Sequence, residues 1–109
     1  METLNNIFIS LGLANCSHVD MFDSSHSFAI WLLPDGAYIV VASYLAFPTF
    51  GLRVCLQHGT IIAWPGFAVP HCTMEGRLAW KDGRSGKPPS MMSFFISRSA
   101  ALDSKAFRV

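Results

Sequence analysis

The chain has 109 residues, of which 51% are hydrophobic and 14% are charged. A chain of this length supports one core but not two domains of ordinary size, so we expect a single domain over residues 1–109, with 99–109 as a frayed tail. Eight basic residues against seven acidic ones leave no cationic track, so charge does not support nucleic-acid binding.

Membrane-spanning, secreted and disulfide-stapled classes are not supported either. The longest uncharged apolar segment, residues 37–52, has 16 residues and contains a proline, whereas a spanning helix needs about 20. Glu2 argues against a secretory signal, and three cysteines without paired spacing argue for reduced thiols. We therefore expect an intracellular protein, in the cytoplasm or nucleus. Its apolar composition predicts self-association or a place in a larger parent protein.

The first predicted element is a strand over residues 7–20. Large aliphatic residues alternate there with small ones; they are Ile7, Ile9, Leu11 and Leu13. The aliphatic face is expected to pack outward against a covering layer, whereas the small-residue face ends in His18 and Asp20. A helix over residues 3–13 is the competing interpretation, which Gly12 weakens.

Six further apolar runs, rich in β-branched and aromatic residues, predict strands. They are residues 27–33, 37–47, 52–56, 60–64, 67–73 and 90–98. The Pro-Asp-Gly sequence at 34–36 predicts a hairpin, and the polar stretch 74–89 predicts a loop. About seven short strands with close turns and almost no helix predict an all-β sandwich or barrel.

The sequence also contains a candidate metal site. Side chains two apart on a strand point the same way, so His18 and Asp20 can bind one ion, with His71 on the predicted strand 67–73 as third ligand. Two imidazoles and one carboxylate leave open positions opposite them, which is typical of non-haem Fe(II) oxygenases, whereas structural zinc prefers a closed tetrahedron. The alternative is a polar turn that only reads as a ligand pair.

Several motifs across residues 7–98 resemble the Fe(II)/2-oxoglutarate-dependent dioxygenases. "LANCSHVDMFD" is similar to the strand and loop that carry the proximal ligands, and "SFAIWLL" to the strand that follows. "FPTFG" is similar to a proline-containing bend, and "LQHGTIIAWPGFAVPH" to the stretch that leads to the distal histidine. The short loops and the bend look most like the TET/JBP-like branch.

The resemblance implies a double-stranded β-helix, a jelly-roll or cupin-like fold, here with about seven core strands against the family's eight and incomplete at the N-terminus. It implies that His18, Asp20 and His71 hold Fe(II), and that 2-oxoglutarate places its far carboxylate on Arg84, with Lys87 as the alternative. O2 would then hydroxylate a substrate C–H bond, with release of succinate and CO2. Protein side chains, nucleobases and small molecules stay open as substrates. The competing function is a catalytically inactive or truncated binding domain.

The other candidate residues receive structural interpretations. Arg77 lies too close in sequence to His71 to act as the carboxylate anchor. Histidines 26 and 58 are expected to be solvated or to cap turns, and Asp23 to form a turn. Cys16 and Cys72 are expected to be buried thiols, with a Cys/His zinc site as the alternative. The three tryptophans, Trp31, Trp64 and Trp80, are expected to be core or rim residues.

Overall fold

The computed structural model describes residues 6–12, 14–20 and 26–98, and these form an antiparallel all-β architecture. In chain order the strands are β1 (Asn6–Leu11), β2 (Ser27–Leu32), β3 (Ala37–Val41), β4 (Ser43–Phe47), β5 (Leu52–Leu56), β6 (Ile61–Trp64), β7 (Cys72–Met74), β8 (Arg77–Trp80) and β9 (Met92–Ser97). A single 3-10 turn, Pro48–Phe50, joins β4 to β5. The all-β prediction is confirmed. No helix within these described ranges is both long and apolar enough to cross a membrane.

Two sheets enclose the core. The larger has the strand order β1-β9-β2-β6 and the smaller β5-β4-β7, while β3 and β8 form a separate pair. All pairings are antiparallel. Buried side chains from both sheets belong to one apolar cluster, comprising Ala29, Trp31, Leu45, Phe47, Leu56, Trp64 and Met91. The core therefore lies between the larger and the smaller sheet.

The first strand is shorter than the sequence pattern predicts. β1 ends at Leu11 because Gly12 takes a left-handed conformation with φ of 63°, which a strand cannot continue through. The helix alternative is wrong, since residues 6–11 are extended and pair with β9. The aliphatic side chains of β1 do point outward and are exposed, but none of the described residues supplies the covering layer expected for them.

The predicted hairpin at residues 34–36 is wrong, although the turn itself forms. The Ala37 N–H donates to the Pro34 carbonyl at 3.1 Å, and Gly36 has φ of 81°. β2 and β3 nevertheless lie in different sheets, because β2 is already bonded along both edges, to β6 and β9. The turn therefore moves the chain from the larger sheet to the β3-β8 pair.

Three further predictions fail. The run 37–47 is not one strand but two, β3 and β4, which lie in different sheets. Residues 67–73 are not one strand, because after Trp64 the chain turns, with the Ala68 and Val69 N–H groups both donating to the Pro65 carbonyl at 3.0 Å. Strand pairing resumes only at His71. β8 lies within the stretch 74–89 that was predicted to be a loop, and it forms because β3 offers it a free edge.

Gly76 fixes the corner between β7 and β8. Its N–H donates to Ser43 Oγ at 2.7 Å, and a Cβ at this position would lie 2.5 Å from the carbonyl carbon of Ala42. We expect Gly76→Ala to lower the free energy of unfolding by about 2 kcal/mol, because backbone atoms must move apart. Urea denaturation measures this loss, and an unchanged midpoint would contradict the close approach.

Candidate metal centre

A two-residue backbone pairing brings the two distant histidines together. His18 and His71 form an isolated antiparallel bridge, in which each N–H donates to the other's carbonyl, at 3.0 and 2.9 Å. A second contact holds the chain just before His18, because the Thr73 N–H donates to the side-chain oxygen of Asn15 at 2.8 Å. The two imidazole rings consequently lie with centroids 4.5 Å apart. The segment that carries His18 is thus held beside β7.

Both imidazoles are oriented by the same local contact. His18 Nδ1 lies 2.9 Å from the Cys16 carbonyl, and His71 Nδ1 lies 2.9 Å from the Val69 carbonyl. With its proton on Nδ1, each ring donates to the carbonyl two residues before it and leaves the Nε2 lone pair for a metal. This arrangement, in which a carbonyl orients each ring through Nδ1, is common among histidines that bind metal through Nε2.

Asp20 completes the group. His18 Nε2 lies 3.4 Å from Asp20 Oδ1, and His71 Nε2 lies 3.3 Å from Asp20 Oδ2. One ligand atom from each residue lies within 4.8 Å of the other two. Ligand atoms on a metal with bonds of about 2.1 Å are roughly 3.0 to 3.4 Å apart. The two histidine–carboxylate distances already fall in this range, although to different oxygens, whereas separations of up to 4.8 Å within the group must shorten around an ion. The predicted convergence of the three side chains is therefore present in the structure.

The three ligands differ in their exposure. The side chain of His71 is 6% exposed, whereas those of His18 and Asp20 are 40% and 34% exposed. The group opens on a cavity of about 380 Å³. Its described lining comprises Asn6, Phe8, Asn15, His18, Asp20, Ser27, His71, Phe95 and Ser97. A metal here would have one side against protein and one side toward this cavity.

Two residues that sequence reasoning treated only as a core residue and a turn residue shape the site. The Trp64 ring packs edge-on against His71 with centroids 5.3 Å apart, and its buried Nε1 has no hydrogen-bond partner among the described residues. Gly66 accepts a 2.7 Å hydrogen bond from the Asp20 N–H. A Cβ on Gly66 would lie 2.7 Å from Asp20 Oδ2 and 2.6 Å from Ser27 Oγ. The absence of a side chain at Gly66 therefore makes room for the carboxylate.

The sequence carried only a weak signal for these two residues. They stand in the "WPG" turn before the distal histidine, where a tryptophan is ordinarily a core residue and a glycine ordinarily a turn former. Their proximity to Asp20 arises because that turn bonds to a segment more than forty residues earlier. No local pattern predicts that contact.

The structure does not bring the two predicted 2-oxoglutarate anchors to this cavity. Arg84 lies in the loop after β8, with its guanidinium carbon 3.8 Å from the centroid of the Trp80 ring and its Nε 3.7 Å from Asp82 Oδ1. The Lys87 side chain is exposed in the same loop, and its carbonyl accepts a hydrogen bond from Trp80 Nε1. Neither residue is among the described residues that line the triad cavity.

Arg77 lines a different, smaller cavity of about 130 Å³. Its described lining also includes Thr73, Glu75 and Ser93. Arg77 is not among the described residues that line the triad cavity.

The remaining candidates are placed as follows. All three cysteines are free, but Cys16 and Cys55 are exposed and Cys72 is half-buried, so the prediction of buried thiols at Cys16 and Cys72 is wrong. Cys72 is not part of the His-Asp-His group. His58 is exposed, as predicted, and it accepts the Leu33 N–H at 3.0 Å, which ties its turn to the end of β2. Asp23 lies outside the described residues.

The tryptophans and the remaining histidine agree with the sequence reasoning. Trp31 and Trp64 are buried in the core and Trp80 is half-buried at its rim. His26 is exposed.

Comparisons with known proteins do not assign this chain to a family. A scan against protein-family models gave no match, and searches of curated proteins and of solved structures gave none. The His18, Asp20 and His71 group and the cavity that it faces are therefore the features from which a function is inferred.

Proposed function

We propose that this chain is a mononuclear non-haem Fe(II) oxygenase with a double-stranded β-helix fold, using 2-oxoglutarate to hydroxylate a substrate C–H bond. The observation that carries the proposal is the approach of two Nε2 atoms to one carboxylate, at 3.4 and 3.3 Å, beside a cavity. Two histidines and one carboxylate with open positions opposite are typical of oxygenases of this kind.

The path of the chain supports this fold. β1 and β2 lie in the larger sheet, β4 and β5 in the smaller, β6 again in the larger, β7 in the smaller and β9 in the larger. The segment of His18, between β1 and β2, bridges to His71 beside β7. A chain that passes repeatedly between two facing antiparallel sheets is the winding expected of a jelly roll.

The described residues fit an iron ion. His18 and His71 each present a lone pair on Nε2, and Asp20 supplies the negative charge. When bound, iron supplies the activation of O2. The protein residues fix the three ligands on one side and leave the cavity side for small ligands. Phe8 and Phe95, which line that cavity, reduce the access of water.

The fit to 2-oxoglutarate is partial. A cavity of about 380 Å³ is large enough for a small dicarboxylate, and open metal positions suit its keto-acid end. Basic side chains are absent from its described lining, so the far carboxylate would be held by the neutral donors of residues such as Asn6 and Asn15. Substrate identity stays open among protein side chains, nucleobases and small molecules.

An anaerobic Fe(II) titration with and without 2-oxoglutarate tests the proposal. We expect a weak visible charge-transfer band only when both are present, because the keto acid must chelate the metal. The band should be lost in His18→Ala and retained in His26→Ala, which alters an exposed histidine outside the triad. A band that survives in His18→Ala would contradict the ligand assignment.

Because no Arg or Lys is among the described residues that line the triad cavity, substitutions of the two predicted anchors, Arg84 and Lys87, should have little effect on 2-oxoglutarate binding. We expect Arg84→Gln and Lys87→Gln each to change the dissociation constant of 2-oxoglutarate by no more than about threefold, because neither side chain lines the cavity. Titration of the iron-loaded variants measures this. A loss of tenfold or more in either variant would instead establish the anchor implied by the resemblance.

The lack of a basic anchor in the described cavity favours one rival function, a non-enzymatic metal-binding β-domain. Release of succinate from 2-oxoglutarate under air, without added substrate, distinguishes the two. Iron binding with neither band nor succinate would support the rival.

A further inference from the structure

The outer face of the larger sheet is apolar throughout. In register across the strands, Ile9 of β1 lies opposite Phe94 of β9, which lies opposite Ile30 of β2, which lies opposite Ile61 of β6. Directly opposed residues share a face, and alternate residues on each strand do too. Every outward position of these four strands, from Ile7 to Ile61, is occupied by Ile, Leu, Phe, Met or Ala. We call this surface the outer face.

Five large apolar side chains of the outer face are exposed and lie close to one another, whereas exposed apolar side chains on a folded domain are usually scattered. They are Ile7 (70%), Ile9 (58%), Leu11 (65%), Phe28 (41%) and Ile61 (69%). Their exposed fractions amount to about three whole residues, or roughly 600 Å² at about 200 Å² each. This area already equals the largest exposed apolar patch of a typical monomeric protein. The partly exposed outward residues of β9 and β2 add to it.

We propose that the outer face is an interface between two copies of this chain, which pack sheet against sheet. The area supports this occupant, because two such faces bury together at least about 1,200 Å², the lower bound for a stable specific interface. The chemistry supports it too. No outward position of the four strands carries a charged side chain. A second copy of the same apolar face is therefore complementary to it, and no oppositely charged partner is required.

The arrangement leaves the candidate metal centre accessible. The triad cavity is lined by inward residues of the same strands, such as Phe8 and Phe95, whereas the interface uses their outward neighbours. Two sheets packed at about 10 Å would cover one side of each subunit only. The inference goes beyond the proposed function and does not depend on it.

Sedimentation velocity on the full chain tests the proposal. We expect a species of twice the chain mass of 12.0 kDa. Ile9→Lys should raise the dimer dissociation constant at least about a hundredfold, because it buries an unpaired charge at the interface. Leu52→Lys is the matched control, since Leu52 is 55% exposed on β5 of the other sheet, and it should leave the constant within about threefold.

Fe(II) affinity and far-ultraviolet circular dichroism separate this from misfolding. Both variants should retain the spectrum and the iron affinity of the parent, because each side chain is exposed in the single chain. A monomeric or polydisperse parent protein would overturn the proposal. So would a dimer that Ile9→Lys leaves intact, or one that Leu52→Lys disrupts equally.

Discussion

Asp20→Ala is expected to weaken the binding of Fe(II) or Co(II) by at least about a thousandfold. The substitution removes the only charged ligand of the triad and leaves two imidazoles, which alone hold a divalent ion poorly. The parent protein should gain about 4 kcal/mol in free energy of unfolding when the metal is present at a thousandfold its dissociation constant. That gain corresponds to a rise of more than about 10 °C in Tm, which Asp20→Ala should lose.

The metal-free form of Asp20→Ala should be about as stable as the parent. The Asp20 side chain is 34% exposed, and its contacts with the two histidines are pairs of the kind that contribute little to stability in water. Asp35→Ala, in the exposed turn before β3, is the control and should keep the full metal-dependent rise. Equal thermal shifts in the parent and in Asp20→Ala would show that the metal binds elsewhere.

Gly66→Ala is expected to weaken metal binding by about a hundredfold while keeping all three ligands. The new methyl group would lie 2.7 Å from Asp20 Oδ2, so the carboxylate must turn away from the position where it faces both histidines. The backbone need not change, because Gly66 does not have the positive φ that only glycine tolerates well. The methyl group would also lie 2.6 Å from Oγ of the buried Ser27, so we expect the metal-free unfolding energy to fall by about 1 to 2 kcal/mol.

Gly59→Ala is the matched control for Gly66→Ala. Gly59 has φ of 81° and open space around it, so an alanine there should cost about 1 kcal/mol of stability and leave metal affinity unchanged. Isothermal titration with Co(II) and urea denaturation measure the two quantities in each variant. If Gly66→Ala bound metal like the parent, the space beside Asp20 would have no role in the site.

The prediction of individual strands succeeded where the signal was local. β2, β5, β6 and β9 coincide within two residues with apolar runs that are bounded by turn residues. The prediction of pairing failed at residues 34–36, because a turn motif reverses the chain but does not decide which strand edge is free. β8 was missed for the complementary reason, since the short sequence Arg-Leu-Ala-Trp, set in a stretch rich in glycine and proline, becomes a strand only beside β3.

For the candidate site, too, some features were predicted from the sequence and others were not. The spacing of His18 and Asp20 is a weak signal alone, and the resemblance of the stretch before His71 to a known family led to the prediction that the three side chains meet. The structure brings them together. That these residues bind iron stays a prediction. The contribution of Gly66 was not predictable, because it depends on a contact with Asp20 across more than forty residues of chain.

The amino-acid sequence by itself determined the all-β class and the identity of the three converging side chains. The all-β class follows from alternation and turn chemistry, which act between near neighbours along the chain. The three side chains were identified from the His-x-Asp spacing and the family resemblance, and neither His18 nor His71 lies within one of the strands β1–β9. Only the tertiary structure decided which strands pair, that Arg84 and Lys87 are not among the described residues lining the triad cavity, and that no described residue covers the apolar outer face of the larger sheet. These properties depend on which edges and surfaces are already occupied when distant segments pack, and no local pattern records that.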